Sequence, residues 1–163
     1  MMRPFSTKRL VLALTVLFVS GFFAIASDLD ARDGWSVHRT NKSFDDLVDA
    51  TRAAVKSNGL IVVTQAGPTK AAAKRGVTIP GNRVIGVFNN EFAVKVLETS
   101  TAAMIEAPIR LYVTENADGT ATLSYKKPSF VFDPYLNEGG VVLRSLATEL
   151  DAIFAAISDE AIK

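Results

Sequence analysis

The sequence predicts an α+β protein, an antiparallel sheet with its helices packed on one face. Three features favour this class. Several segments alternate apolar and polar residues as strands do, two of them are joined by a short turn containing Asp118-Gly119, and the C-terminal segment has helical periodicity. Hairpins followed by a terminal helix are typical of antiparallel sheets. The expected order is strand, helix, several strands, helix.

The first strand and the first helix differ in the period of their apolar residues. Residues 35–40, WSVHRT, alternate apolar and polar side chains, which predicts a half-buried strand. Residues 41–60 predict a helix that Ser43 caps and that ends at Asn58-Gly59. Its apolar positions at helical spacing are Phe44, Leu47, Val48, Thr51, Ala54 and Val55.

Two strands and a helix are predicted in the middle of the chain. Residues 60–67, LIVVTQAG, begin apolar on both sides, so we expect a central strand. A turn-rich connection with one helical turn at Lys70–Lys74 leads to a third strand over residues 83–90. Residues 91–100 predict a short helix whose start is marked by Asn89-Asn90-Glu91.

The C-terminal half predicts a hairpin and a long helix. The hairpin consists of residues 108–119, PIRLYVTENADG, and residues 120–132, TATLSYKKPSFVF, and it turns at Ala117-Asp118-Gly119. Helical periodicity then extends from Leu136 to about Ile162. The apolar stripe of this helix is formed by Leu143, Leu146, Leu150, Ile153, Phe154 and Ile157.

The N-terminus has the layout of a signal peptide. Its first ten residues, MMRPFSTKRL, carry three positive charges and no acid, and an apolar run from Leu10 to Ala26 closes with Ala24-Ile25-Ala26. Signal peptidase requires small residues two apart, so we predict a signal peptide over residues 1–26, cleaved after Ala26. An uncleaved membrane anchor is the alternative, because a run of 17 residues is at the short limit for a membrane span.

Both alternatives place the rest of the chain in the periplasm or in the secreted fraction. Residues 27–34 are a polar leader, and residues 35–163 are long enough for a single α+β domain. We expect contact with a membrane only through an uncleaved signal segment.

Export changes the charge balance of the protein. It removes three of the 18 basic residues, Arg3, Lys8 and Arg9, so 15 remain against 17 acidic residues. A slightly acidic domain without a Lys/Arg run lacks the electrostatic footprint of a nucleic-acid-binding protein. The chain has no cysteine, which excludes thiolate nucleophiles, iron–sulfur ligation and Cys-based zinc sites. No cofactor is expected.

Two stretches, residues 88–98, FNNEFAVKVLE, and residues 107–128, APIRLYVTENADGTATLSYKKP, are similar to a known family. The specific pieces are a strand ending in Asn before a short helix, the Pro that opens the next strand, the E-x-x-D-G turn, and Ser124-Tyr125 followed by Pro128. From about Trp35 to the C-terminus the chain resembles the domain of unknown function 302 family. The resemblance implies a compact TATA-binding-protein-like α+β fold, one copy per chain and often a dimer. It implies no activity.

The chain departs from that family at several positions. Asn89-Asn90 stands where family members often have Asn-Pro, and Gln65-Ala66 where many have Asp-His. Phe88 and Ile109 lie near positions where one branch has cysteines. A metal, redox or acid–base role that depends on that His or those Cys is therefore not transferred to this chain.

The polar face of the hairpin is the first candidate site. Arg110 and Tyr112 alternate with apolar residues in one strand, as Ser124 and Lys126 do in the other, and we place His38 of the first strand beside them. Arg offers a bidentate fork, Lys a point charge, and the hydroxyls complete a shell for a small anionic ligand. The alternatives are a solvated sheet face, or a face covered by the second subunit of a homodimer.

Asn89 and Asn90 are a second candidate, because free backbone N–H groups at a helix start suit a phosphate or carboxylate. Helix capping by Asn is the alternative, and it is favoured because no Gly-rich loop precedes the helix. The doublet Lys126-Lys127 before Pro128 is interpreted as a device that protects an edge strand, with a ligand contact as the alternative.

His38 is the only histidine of the chain. An imidazole carries protons near neutral pH, but a lone His on the polar side of a strand is more often a surface residue. Without a second His or any Cys, no metal site is predicted. The carboxylates are scattered and no G-x-S-x-G elbow is present, so we assign no catalytic residue.

Three hypotheses on function follow. The first is a non-enzymatic exported domain, dimeric, that binds a small ligand or a partner through the open sheet face or a cleft beside the terminal helix. The second is an enzyme that uses His38 or a buried carboxylate as proton carrier with Arg110 or Lys126 as electrophile. The third is an assembly module of the envelope that binds no ligand.

Overall fold

The computed structural model describes residues 29–163. The predicted signal peptide over residues 1–26 and the first two residues of the leader lie outside this range. The strands are β1 (Trp35–Arg39), β2 (Ile61–Ala66), β3 (Asn82–Phe88), β4 (Ile109–Glu115) and β5 (Ala121–Lys126). The helices are α1 (Phe44–Ser57), α2 (Thr69–Ala73), α3 (Asn90–Thr99), α4 (Pro128–Phe132) and α5 (Leu136–Ala161), with 3-10 turns over Ala103–Glu106 and Asp133–Tyr135.

The five strands form one antiparallel sheet in the order β1-β5-β4-β3-β2. Helix α5 packs against both α1 and α3, and apolar side chains of the three helices form one core with one face of this sheet. The fold is therefore α+β, as the sequence predicts. The hairpin of β4 and β5 lies at the centre of the sheet.

Alternation along the central strands builds the core. Ile85 of β3, Leu111 and Val113 of β4 and Leu123 of β5 are fully buried on the face that the helices cover. Phe154 of α5 is also fully buried, and its ring lies 5.3 Å from the ring of Tyr125. Burial of these large apolar side chains supplies the main driving force for folding.

Helix α1 begins and ends where the sequence predicts. The Ser43 side chain accepts a hydrogen bond from the backbone N–H of Asp46, at 3.2 Å. At the other end, the backbone N–H of Asn58 donates to Ala54, and Gly59 has a φ of +77°. Glycine adopts this left-handed conformation without the steric strain that a Cβ would cause, so it is well suited to end the helix.

The prediction that β2 is a central strand is wrong. Within residues 29–163 it is an edge strand that pairs only with β3, and the side chains of Ile61 and Val63 are 59% and 45% exposed. A short apolar run indicates a strand but carries no information on which neighbours it has. The register also shifts between Val62 and Thr64, which marks a bulge.

Two predictions for the end of the hairpin are also wrong. The segment after Lys127 is helix α4, with Pro128 at its first turn, and not a continuation of the strand. Pro is well placed there because its fixed φ suits a helix start and its missing N–H is not needed. Strand β5 lies between β1 and β4, so Lys126-Lys127 does not protect a sheet edge.

Helix α5 covers most of the predicted C-terminal helix. Gly140 departs from helical geometry, with a φ of +56° and a ψ of −144°, so a kink separates the first residues from the rest. Within residues 29–163, no helix combines the length and the apolar character needed to cross a bilayer.

Candidate functional site

The register of the sheet arranges the open face in rows. Trp35 of β1 lies opposite Lys126 of β5. Arg110 of β4 lies on the other side of Lys126, because the next pair along these strands is Leu111 with Tyr125. Gly86 of β3 pairs with Arg110. We call Trp35, Lys126, Arg110 and Gly86 the cationic row. The row next to it contains Val37, Ser124, Tyr112 and Val84. Both rows face away from the helices that cover the core.

A pocket of about 440 Å³ lies on this face at the end where the cationic row is. The sheet contributes Trp35, Val84 and Tyr112 together with the two cations of the row. Two segments beyond the strand ends close the pocket. Glu106 comes from the 3-10 turn before β4, and Val131 comes from α4 after β5. The volume lies in the range of pockets that bind small molecules.

Arg110 and Lys126 are the two cations of the pocket, and both are exposed. Directly opposed residues of antiparallel strands have Cβ atoms about 5 Å apart, so these like charges repel each other. Neither forms a salt bridge with any residue between 29 and 163. The Lys126 ammonium lies 5.8 Å from the centroid of the Trp35 ring, and the Arg32 guanidinium lies 5.3 Å from it.

Tyr112 and Asn82 form the polar end of the pocket. The side-chain amide of Asn82 donates a hydrogen bond to the Tyr112 hydroxyl. Because this bond uses a lone pair of the hydroxyl oxygen, the hydrogen of the phenol stays available to a ligand. The pocket therefore combines two charged donors and one neutral donor.

Glu106 is the carboxylate among the pocket residues. One of its oxygens accepts a hydrogen bond of 2.7 Å from the hydroxyl of Tyr135. This bond joins the 3-10 turn before β4 to the turn that leads into α5. With two cations and one carboxylate, the residues that line the pocket carry one net positive charge.

Comparison with known proteins places the chain in a family. The model of the family described as domain of unknown function DUF302 matches residues 35–159. The chain belongs to this family. The fold is also similar to "uncharacterized conserved protein DUF302 from Bacillus stearothermophilus", whose crystal structure has a TM-score of 0.70 at 18% identity and covers 81% of this chain and 100% of that one. No curated protein matches the chain significantly in sequence.

The DUF302 fold brings together only part of the predicted site. Arg110, Tyr112 and Lys126 line the pocket. Ser124 lies on the same face but is fully buried, and its hydroxyl donates to the backbone carbonyl of Tyr112, at 3.4 Å. Ser124 therefore supports the strand pair beneath the pocket and does not offer its hydroxyl to a ligand.

His38 lies on the opposite face of the DUF302 sheet, contrary to its predicted place beside Arg110. It pairs with Leu123, a core residue, and its ring lies 6.3 Å from the ring of Tyr125. Its Nε2 is 2.7 Å from the hydroxyl of Ser36. The side of β1 that faces the pocket is thus the apolar one, with Trp35. The sequence instead predicts that the polar side of β1, with His38, faces the pocket.

Asn89 and Asn90 lie away from the pocket. The Asn89 side chain accepts hydrogen bonds from the backbone N–H groups of Glu91 and Phe92, at 2.9 and 3.2 Å. Its amide also donates to the carbonyl of Gly59, at 3.0 Å. Asn89 is thus the N-cap of α3, as the alternative interpretation of the sequence has it, and its polar atoms are used within the fold.

Seven of the ten residues that line the pocket of this DUF302 chain were not among the predicted ones: Trp35, Asn82, Val84, Glu106, Ile109, Tyr125 and Val131. The alternation of β1 could have identified Trp35 once β1 was known to pair with β5. Glu106 and Val131 lie outside the strands, so no strand pattern signals them. Among residues 29–163, no group of three or more His, Cys, Asp or Glu is close enough to hold a metal ion.

Proposed function

We propose that this protein is an exported, non-enzymatic domain that binds a small anionic ligand in the pocket of the open sheet face. The proposal rests on one observation. Arg110 and Lys126 are neighbours on adjacent strands, and both line the pocket without a salt bridge to the rest of residues 29–163. An anion seated between them replaces repulsion by two charge-assisted hydrogen bonds, which are stronger than neutral ones.

The arrangement favours binding over catalysis. The enzyme hypothesis uses His38 or a buried carboxylate as proton carrier, and His38 lies on the other face of the sheet. One oxygen of Glu106, the carboxylate of the pocket, accepts a hydrogen bond from the hydroxyl of Tyr135. A general base needs to lie within hydrogen-bond reach of the proton that it removes, and His38 is not placed to do so.

Native mass spectrometry of the protein from its own exported fraction tests this proposal. The wild type should retain an added small mass, and Arg110→Ala should lose it because one of the two cations is gone. Arg75→Ala is the matched control, since Arg75 is an exposed cation outside the pocket. A wild type without any added mass, or a mass that Arg110→Ala retains in full, would contradict the proposal. Recovery of the protein only from the cytosol would contradict export.

We also propose that two copies associate through β2. This edge strand, IVVTQA, carries no charge or Pro, and the side chains of Ile61 and Val63 are exposed. Native edge strands are usually protected by charges, prolines, bulges or a covering segment. Strand β2 has a bulge between Val62 and Thr64 but no charge or Pro, and a strand without charges pairs readily with another strand. Two copies of an uncharged strand meet antiparallel without electrostatic repulsion, and a two-fold axis relates them.

Sedimentation velocity over a dilution series measures this association. Val63→Lys places a charge on the edge and should shift the protein to monomer. Val94→Lys is the matched control, because Val94 of α3 is 46% exposed against 45% for Val63. A monomeric wild type, or equal dissociation by both variants, would argue against pairing through β2.

A further inference from the structure

The residues that line the pocket favour a ligand with an apolar part as well as a negative charge. Beside the cations stand the rings of Trp35 and Tyr112 and the aliphatic side chains of Val84 and Val131. Burial of apolar surface stabilises a complex, so these walls favour a ligand with an apolar body. An inorganic anion would leave them in contact with water.

The charge of the pocket limits the charge of the ligand. The residues that line the pocket include two cations, Arg110 and Lys126, and one carboxylate, Glu106, so they carry one net positive charge. A monoanion neutralises this charge, whereas a phosphate dianion would leave an excess negative charge beside Glu106. Removal of an unbalanced charge from water is unfavourable.

The positions of the donors give the ligand an orientation. The two cations are neighbours in the cationic row, while Tyr112 lies one row further and is held by Asn82. The fork of Arg110 matches the two oxygens of a carboxylate. The apolar body then extends from the cations along Val84 and Tyr112.

We infer that the ligand is a monocarboxylate with a ring-sized apolar body, and that Arg110 and Lys126 hold its carboxylate while Trp35, Val84 and Val131 contact the body. This inference rests on the proposed function and narrows its ligand class. It also makes Val131, which comes from helix α4, a residue that determines specificity.

Four probes separate the charge of the ligand from its apolar body: cyclohexanecarboxylate, cyclohexylmethanol, acetate and inorganic phosphate. Trp35 is the only tryptophan of the chain and lies in the pocket, so its fluorescence reports binding of each probe to the whole protein. Isothermal titration calorimetry measures the same affinities without relying on the fluorescence of Trp35. Cyclohexanecarboxylate should bind at least about tenfold more tightly than each of the other three.

Two variants test which residue holds the carboxylate of the ligand and which contacts its apolar body. Arg110→Gln should lower the affinity for cyclohexanecarboxylate several-fold, towards that for cyclohexylmethanol, because only Lys126 then holds the carboxylate. Val131→Thr keeps the shape of the side chain but replaces one methyl group by a hydroxyl, so it should weaken binding of cyclohexanecarboxylate several-fold and leave acetate unchanged.

The remaining outcomes distinguish the inference from the proposed function. Equal affinity for acetate, phosphate and cyclohexanecarboxylate would overturn the ligand class and leave anion binding intact. Equal affinity for cyclohexylmethanol and cyclohexanecarboxylate would overturn both, because the pocket would then bind without regard to charge. Binding of none of the probes in either assay would also overturn both.

Discussion

The hydroxyl of Tyr135 donates a hydrogen bond to Glu106, with 2.7 Å between the two oxygens. This bond, followed by partial burial and the charges of Glu106 and Glu138, raises the pKa of Tyr135. A raised pKa means that the fold favours the neutral phenol. The stabilising effect is therefore fully present below the ordinary tyrosine pKa of 10.0 and is lost as the pH rises through the raised value.

The ultraviolet absorbance of tyrosinate across alkaline pH checks this prediction. The chain has three tyrosines, and Glu106→Gln should move the titration of one of them to lower pH. Glu138→Gln is the control and should cause a smaller shift, because Glu138 acts on Tyr135 only through its charge. An unchanged titration in Glu106→Gln would show that the bond does not form in solution.

Gly67, directly after β2, lies against the backbone of β3. A Cβ at this position would be 2.1 Å from the carbonyl oxygen of Asn82, a backbone atom that cannot turn away. Gly67→Ala should therefore lower the free energy of unfolding by about 1–3 kcal/mol, as overpacking does. Urea unfolding followed by far-ultraviolet circular dichroism measures the loss.

Gly119 provides the contrast, since it has a φ of +82° and open space around its Cα. Gly119→Ala should cost about 1 kcal/mol because of the left-handed backbone alone. Gly119→Asn should cost less, since Asn adopts this conformation more readily. At Gly67, Asn should be no better than Ala, and recovery of stability there would be inconsistent with a steric clash.

The cap of α3 predicts a loss of stability without a loss of binding. Asn89→Ala removes the acceptor for the N–H groups of Glu91 and Phe92 and should cost about 1 kcal/mol in thermal or urea unfolding. Asn89→Asp keeps the acceptor and should recover part of the loss. Asn90→Ala, at the exposed next residue, should stay within about 0.5 kcal/mol of the wild type. Weaker anion binding in Asn89→Ala at unchanged stability would instead support an anion site at this helix.

Most elements of the fold could be predicted because their signals are local. The alternation of β4 and β5, the Ser43 cap and the turn at Gly119 each depend on a few neighbouring residues. The position of β2 at an edge depends on which strands pair, and nothing within LIVVTQAG encodes that. Helix α4 was missed because Ser129–Phe132 is short and apolar, a composition that strands and buried helices share.

The candidate site was likewise predictable only where its signal is local. Arg110, Tyr112 and Lys126 share a face because they alternate within one hairpin. The placement of His38 failed because it assumed that the polar side of β1 continues the polar side of the hairpin. The register pairs Trp35 with Lys126, so the apolar side of β1 faces the pocket instead. Pairing between distant strands is a tertiary property that an alternation pattern does not contain.

The hairpin turn makes the stability of the protein change with pH in the acidic range. Asp118 accepts hydrogen bonds from the side chain and the backbone of Thr120, and Arg39 lies 3.8 Å from its carboxylate. The Thr120 side chain first, then its backbone N–H, lower the pKa of Asp118 below its ordinary value of 3.8; burial opposes this shift, and the charge of Arg39 adds a smaller lowering effect. The depressed pKa means that the fold favours the charged carboxylate.

The sign of the pH dependence follows from that preference. The contribution of Asp118 is present above its ordinary pKa and is lost as the pH falls through the lowered value. Asp118→Asn should therefore destabilise the protein relative to the wild type at neutral pH, and the difference should shrink at a pH below both values. Urea midpoints of the two proteins at neutral and acidic pH measure it. Asp33→Asn is the matched control, because Asp33 is an exposed carboxylate before β1. A difference between Asp118→Asn and the wild type that stays constant with pH would mean that the charge of Asp118 does not stabilise the turn.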